Sequence, residues 1–423
     1  MEMKLMDALA AIFTTLLFAH HLPLAIADHT RAFSNSSAAA FNLPLFAKQG
    51  PGHAVRRGAD GFLYLQHSLV ASVDNNITSI GPETGVPHAT EVHFGTGVGR
   101  RKLYLEVHAA PITWIQCRPC HPVATQYGAL FDGELSPTFR HVHASVCTPS
   151  FVPDPTIQRC LFRLRGPSNL HVKGLLSVDE YTREDGYVIP KFFFGCAHET
   201  WHFDNINTYA GMLAYRAFAA QAAAHGLPRA SYCLFREPNR RGFLRFGADA
   251  DIPRHPHYQT ARILPAHGDD GAHESEYHVS LVGVSLGGRR LAGVRPEMFA
   301  GRKDGGGGQG GCIIDIGTPL TIMAREAYRA VEEAVWSDLE RHGAARAIKG
   351  RLQSLSFHFV GEEEEATLVV SPKHLFLMMV DDKGEGQIAC LAMQVDTRFV
   401  YDLKENKVSF APESCIQDTV PVD

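Results

Sequence analysis

Four groups of residues in this chain have the types and spacing that chemistry uses. Asp315 follows the apolar run Cys312-Ile313-Ile314 and precedes Ile316-Gly317-Thr318, which sets a carboxylate beside a glycine and a hydroxyl. Such a carboxylate can give or take a proton, but alone, accepting hydrogen bonds from its own turn, it reads as a structural group. His141-Val142-His143 and His255-Pro256-His257 each place two imidazoles on one face of a strand, as metal ligands are placed. No third ligand is in register with either pair, so both read as surface histidines. Cys117-Arg118-Pro119-Cys120 is a single Cys-x-x-Cys. A zinc ribbon needs a second pair and a thioredoxin-type site needs a βαβ unit; neither is visible, which leaves disulfide use. The glycine-rich run 305–311 lacks the Lys-Ser/Thr of a phosphate cradle and leads into a strand, so it reads as a loop. No cofactor and no metal is implied.

The elements that must position these groups are mostly strands. The chain has 423 residues, 45% of them hydrophobic, enough for one large or two medium cores. Its 38 glycines and 24 prolines favour many short strands joined by turns over helical bundles. A hairpin with a glycine turn is expected from Val92-His93-Phe94-Gly95 into Lys102-Leu103-Tyr104-Leu105-Glu106-Val107. Further strand-like runs lie at 172–178, 187–195, 231–235, 242–247, 277–284, 355–360 and 399–410. Helical patterns are expected at 212–225, ending at Gly226, and at 324–341, where Tyr328, Val331, Val335 and Leu339 recur at three- and four-residue steps. The acidic run Glu362 to Glu365 reads as a solvated loop between strands.

Net charge is −5 with histidine neutral, which gives no nucleic-acid footprint. The 23 histidines would make the surface far more basic in an acidic compartment. Residues 1–27 read as a signal peptide: Lys4, an apolar stretch at 8–19, and Ala25-Ile26-Ala27 before Asp28. That address implies a secreted or vacuolar protein, and no later run is long and apolar enough to span a membrane. The sequons at Asn35 and Asn76 fit the same route. Residues 28–87, rich in Ala, Gly, Pro and Ser, read as a leader or pro-segment. Nine cysteines cannot all pair internally.

The turn at Asp315 resembles the active-site strand and turn of pepsin-like aspartic proteases. Glu106-Val107-His108-Ala109-Ala110-Pro111-Ile112-Thr113-Trp114-Ile115-Gln116-Cys117 resembles the matching strand of their plant, nepenthesin-type subgroup. There Asp-Thr-Gly-Ser-Asp-Leu-Thr-Trp precedes Ile-Gln-Cys, so the first catalytic aspartate falls on Val107. Phe193-Phe194-Gly195-Cys196, Ser231-Tyr232-Cys233-Leu234, Leu355-Ser356-Phe357-His358-Phe359 and Tyr401-Asp402-Leu403 extend the resemblance over roughly 90–415. It implies an all-β dominated, bilobal pepsin-like fold with a few short helices, an N-terminal lobe at 88–225 and a C-terminal lobe at 226–423. It also implies that the strand ending near Val107 meets the one entering Asp315 at the floor of the cleft, and that Cys233 pairs with Cys415. Cys390 lacks its usual upstream partner and is left free or paired atypically with Cys312.

In that family two carboxylates hold one water and share a proton, one acting as base and the other as acid. Asp315, Gly317 and Thr318 match one half; Val107, His108, Ala109 and Ala110 stand where Asp, Thr, Gly and Ser would be. Glu106, one residue along the strand, is expected to point away from the cleft. Gly166 falls where the flap tyrosine would, Met212-Leu213-Ala214 carries alanine for a bracing glycine, and Cys390-Leu391-Ala392-Met393 abuts Gln394-Val395-Asp396 where a further strand should lie. The expected function is a monomeric, secreted relative without peptidase activity that binds a peptide or protein in its inter-lobe cleft. The alternatives are an active aspartic endopeptidase with an unorthodox N-lobe and a truncated, poorly folding product.

Overall fold

Period-two alternation of apolar side chains drives this fold. In the strand Arg101–His108, Leu103, Leu105 and Val107 are buried while Lys102, Tyr104, Glu106 and His108 face the other way. The computed structural model describes residues 40–47, three short strands between 54 and 79, and most of 88–415. The signal sequence, Asn35, Asn76, the glycine run, 166–169, His255, His257, Thr318 and Cys390 lie outside the described residues.

The elements used below are β1 (Ala40–Ala47), β2 (His88–Phe94), β3 (Arg101–His108), β4 (Trp114–Gln116), β5 (Val152–Asp154), β6 (Arg159–Arg165), β7 (His171–Thr182), β8 (Val188–Trp201) and β9 (Gly211–Ala214). They continue with α1 (Tyr215–Ala224), β10 (Arg229–Cys233), β11 (Arg241–Gly247), β12 (Gln259–Arg262), β13 (Tyr277–Val279), β14 (Leu281–Leu286) and β15 (Cys312–Ile314). After them come α2 (Arg325–Arg341), β16 (Leu355–Val360), β17 (Glu365–Val370), β18 (Thr397–Asp402) and β19 (Lys407–Pro412). The main sheet runs in the order β12-β19-β18-β10-β11-β1-β2-β3-β9-β4-β8-β7-β6-β5, and β14, β16 and β17 belong to a second. The fold is the expected β-dominated one, with α1 and α2 the two α-helices among the described residues.

Two expectations need correcting. The pattern at 212–225 is not all helix: Gly211–Ala214 is strand β9, and only Tyr215–Ala224 is helical. β9 slots between β3, to which it is parallel, and β4, to which it is antiparallel. Pairing on both sides satisfies its backbone better than a helical first turn would. Gly211 suits this insertion because a Cβ there would meet the Trp114 carbonyl oxygen at 2.0 Å. The run at 399–410 is likewise a hairpin, β18 and β19, turning where Asn406 takes a positive φ.

The stretch read as a leader also supplies a strand to the core. β1 pairs with β11 from Ala40↔Gly247 to Phe46↔Arg241, and with β2 through Leu45↔Thr90, Phe46↔Ala89 and Ala47↔His88. Phe41, Leu43 and Leu45 are all buried in the main core.

Three disulfides pin the described chain: Cys117–Cys196, Cys147–Cys160 and, as the resemblance implied, Cys233–Cys415. Cys117 therefore pairs with β8 and not with Cys120, whose thiol instead lies 3.5 Å from the Pro122 carbonyl. Burial raises the Cys120 pKa and keeps it a thiol, so the Cys-x-x-Cys is no redox pair.

Candidate functional site

The two chain segments singled out by sequence meet. Asp315 follows β15 and accepts hydrogen bonds on Oδ1 from the Gly317 amide of its own turn (2.8 Å) and from the Ala109 amide just past β3 (3.3 Å). The second bond joins residues 206 positions apart in sequence and closes the site floor. Gln394 donates from Nε2 to the Asp315 carbonyl (3.1 Å), and its Oε1 accepts from the Tyr232 hydroxyl. Tyr401 lies 3.2 Å from Tyr232, oxygen to oxygen, and Tyr215 and Tyr277 pack on the same cluster. Burial holds the Tyr232 and Tyr401 phenols far above their ordinary pKa, so they remain hydroxyl donors. Gln394 and the tyrosines brace the Asp315 turn from beneath. Sequence reasoning missed them, although Tyr232 and Tyr401 both lie in motifs that it quoted.

Val107 belongs to the apolar face of β3. It is 1% exposed, in the core with Leu103, Leu105 and Leu213, and pairs with Leu213 of β9. The polar face of β3 belongs instead to Glu106 and His108. Glu106 Oε1 lies 3.0 Å from His108 Nε2, and His108 sits against the Asp315 turn. A Cβ on Gly317 would meet His108 Nδ1 at 2.1 Å, so the glycine leaves room for the imidazole. The reason is the alternation itself: three apolar residues at steps of two commit position 107 to the core.

The ring of His108 is 28% exposed on a side-chain basis. Burial alone would push its pKa down; Glu106, by charge and hydrogen bond, and then Asp315 outweigh that and raise it to about 9. At neutral pH His108 is thus an imidazolium, paired with the Glu106 carboxylate and lying against the Asp315 turn. A histidine whose folded pKa is raised adds stability that is complete below its ordinary value near 6.5 and is lost as pH climbs through about 9. Glu106→Gln should therefore destabilise the protein by roughly 2 kcal/mol at pH 6, after discounting for the exposed ring, and by much less at pH 10. Urea denaturation of both proteins at the two pH values checks this, and an equal penalty at both would show that the ion pair is not the cause.

Of the two histidine pairs, His141 and His143 lie among the described residues. His141 Nδ1 lies 3.0 Å from Ser177 Oγ and His143 Nδ1 lies 2.8 Å from Ser145 Oγ, each with its own partner. Burial, with His198 and Arg159 nearby, pushes His141 down to about 4. Among the described residues no group of three His, Cys, Asp or Glu could hold a metal. No described helix is long and apolar enough to cross a membrane.

The sequence model of a family described as "Xylanase inhibitor N-terminal" matches residues 89–248, and one described as "Xylanase inhibitor C-terminal" matches 276–373. Aspartyl protease family protein 2 of Arabidopsis thaliana is 26% identical over 76% of this chain and 70% of its own length. Aspartic proteinase nepenthesin-2 of Nepenthes gracilis is 24% identical over 72% of each. The crystal structure of basic 7S globulin from soybean superposes with a TM-score of 0.58 at 15% identity, covering 90% of this chain and 98% of that one. Conglutin gamma, a basic 7S globulin from lupine seeds, gives 0.57 at 14% identity, covering 89% and 96%. At those identities the structures speak for the two-lobed fold alone.

Proposed function

We propose, for a chain that belongs to the plant pepsin-like aspartic proteases, a role in binding rather than in peptide hydrolysis. One observation carries the reading: position 107, where the family's first catalytic aspartate would stand, is a valine committed to the hydrophobic core. Peptide hydrolysis by this family's route needs a water held by two carboxylates that share one proton. Asp315 has instead an imidazolium beside it, and the nearest carboxylate on β3 is already engaged by that imidazolium. A proton held near pKa 9 is a poor general acid at acidic pH, and Asp315 already accepts two backbone amides.

The rest of the reading follows the sequence. Residues 1–27 are a secretory address, the boundary between lobes falls near residue 225, and the protein is a secreted or vacuolar monomer that needs no cofactor. Its ligand is a peptide or protein held in the cleft between the lobes. The family descriptions name an inhibitor of an enzyme, which supports a protein as partner.

The test is acid protease activity of the purified protein on a denatured substrate, with and without a transition-state-mimicking aspartic protease inhibitor. No inhibitor-sensitive cleavage is expected. The second reading, an active endopeptidase, draws on the protease names of the relatives and on the presence of Glu106 beside His108. Cleavage abolished by the inhibitor and by Glu106→Gln would establish it. A cooperative thermal transition of the same preparation rules out the third reading, a poorly folding product.

A further inference from the structure

Besides the Asp315 turn and its bracing residues, three neighbouring strands build a cationic face. Cross-strand register sets Arg163 of β6 opposite Lys173 of β7, and Lys173 opposite Glu199 of β8. One step along, Arg165 stands opposite His171, and His171 opposite Trp201. Residues two apart on a strand share a face, so these six form a two-by-three grid with roughly 5 Å between directly opposed Cβ atoms. The intervening residues point the other way: Phe162, Leu164 and Val172 pack with Trp114 and Phe203 in the satellite core. The grid is therefore a fixed surface on a packed sheet and not a cluster of mobile loop side chains.

Its contents are unusual for a merely solvated face. Lys173 Nζ pairs with Glu199 Oε2 at 2.9 Å, and Trp201 Nε1 reaches the same carboxylate at 3.4 Å. Arg163 and Arg165 are exposed and make no hydrogen bond or ion pair among the described residues. Like charges directly opposed on a sheet destabilise it, and Arg163 against Lys173 is such a pair. Trp201 lies 46% exposed at the corner of the same grid, its indole anchored by Glu199.

We propose that this face binds an acidic carbohydrate chain. The guanidinium forks of Arg163 and Arg165 match carboxylates in planar, two-point fashion, which a lysine pair would not. Trp201 offers a flat apolar face, held in place by its hydrogen bond, on which the carbon–hydrogen face of a pyranose ring stacks. Cations flanking an exposed, pre-positioned indole fit a ring that carries a carboxylate better than they fit a flexible acidic peptide. The chain as a whole is net negative, −5, so the positive charge of this face is a local and not a global excess.

The probe is an oligomer of galacturonic acid, with its methyl-esterified form as the neutral control, titrated into the full chain by calorimetry. Binding is expected for the acid and not for the ester, weakening several-fold as salt rises from 50 to 200 mM, about as expected for a few screened ion pairs. Arg163→Ala with Arg165→Ala should lower affinity at least tenfold, and Trp201→Ala severalfold. Arg163→Lys, which keeps the charge and spares the fold, should still lose severalfold because the fork is gone. Equal binding of poly-glutamate would overturn the proposal in favour of an acidic peptide. So would an affinity unchanged in Arg163→Lys and Trp201→Ala, or no binding by a chain that melts cooperatively.

Discussion

Val107→Asp should yield a protein that is still inactive and less stable by about 4 kcal/mol, the usual scale for leaving a charge uncompensated in a core. The substitution restores the family's residue type at the family's position, so sequence logic alone would predict rescue. In the structure the valine is 1% exposed and packs with Leu103, Leu105 and Leu213. A carboxylate there enters an apolar cluster with no donor assigned to it. Burial raises the pKa of such a group above its unfolded value, so the penalty is smallest in acid, where it is protonated in both states, and grows as pH rises. The site around it is also unprepared: Ala109 replaces the glycine of the turn, and the His108 imidazole occupies the space beside Gly317. A useful dyad needs its members held to about half an ångström, and nothing here holds a second carboxylate that well. Chemical denaturation at pH 4 and pH 7, beside the peptide-cleavage assay, reads both parts. Inhibitor-sensitive cleavage by this single variant would show that the site lacks only one side chain, and the binding role would lose its main support.

What the sequence made legible, and what it hid, follows from how local each signal is. The turn at Asp315, the hairpin of β2 and β3, the amphipathic helix α2 and the Cys233–Cys415 bridge all rest on short motifs or on motif order, and the structure contains each of them. The alternation of Leu103, Leu105 and Val107 made the burial of position 107 legible, but the resemblance to a catalytic strand drew attention from it. The same oversight affected 40–47, where overall composition masked the alternation of Phe41, Leu43 and Leu45. The bracing of Asp315 by Gln394 and Tyr232 could not be read at all, because it joins residues 79 and 162 positions apart through side chains that no spacing rule connects.

Phe41→Ala tests the boldest consequence of that alternation, because residue 41 lies inside the stretch that composition marks as a leader. The Phe41 ring stacks on Phe246 at 4.5 Å between centroids, with Tyr187 at 4.9 Å and Phe218 edge-on at 6.3 Å. β1 also fills the gap between β2 and β11, so its neighbours on both sides depend on it for backbone pairing. Thr90 Oγ1 donates to the Pro44 carbonyl at 2.9 Å, which fixes the strand's register from one side. Truncating a fully buried phenylalanine costs about 3–5 kcal/mol when its surroundings cannot collapse, and an aromatic cluster packed from several strands collapses poorly. We therefore expect Phe41→Ala to lower the stability of the purified protein by about that amount. A neighbouring exchange on the less buried side of the same strand, Asn42→Ser, should cost under 1 kcal/mol. If residues 28–87 are shed on maturation and leave the fold, both variants will melt with the parent protein, and mass spectrometry of the purified chain will show the missing segment. If the peptide is cleaved but stays bound as β1, mass spectrometry will find two chains, and Phe41→Ala will weaken their association instead.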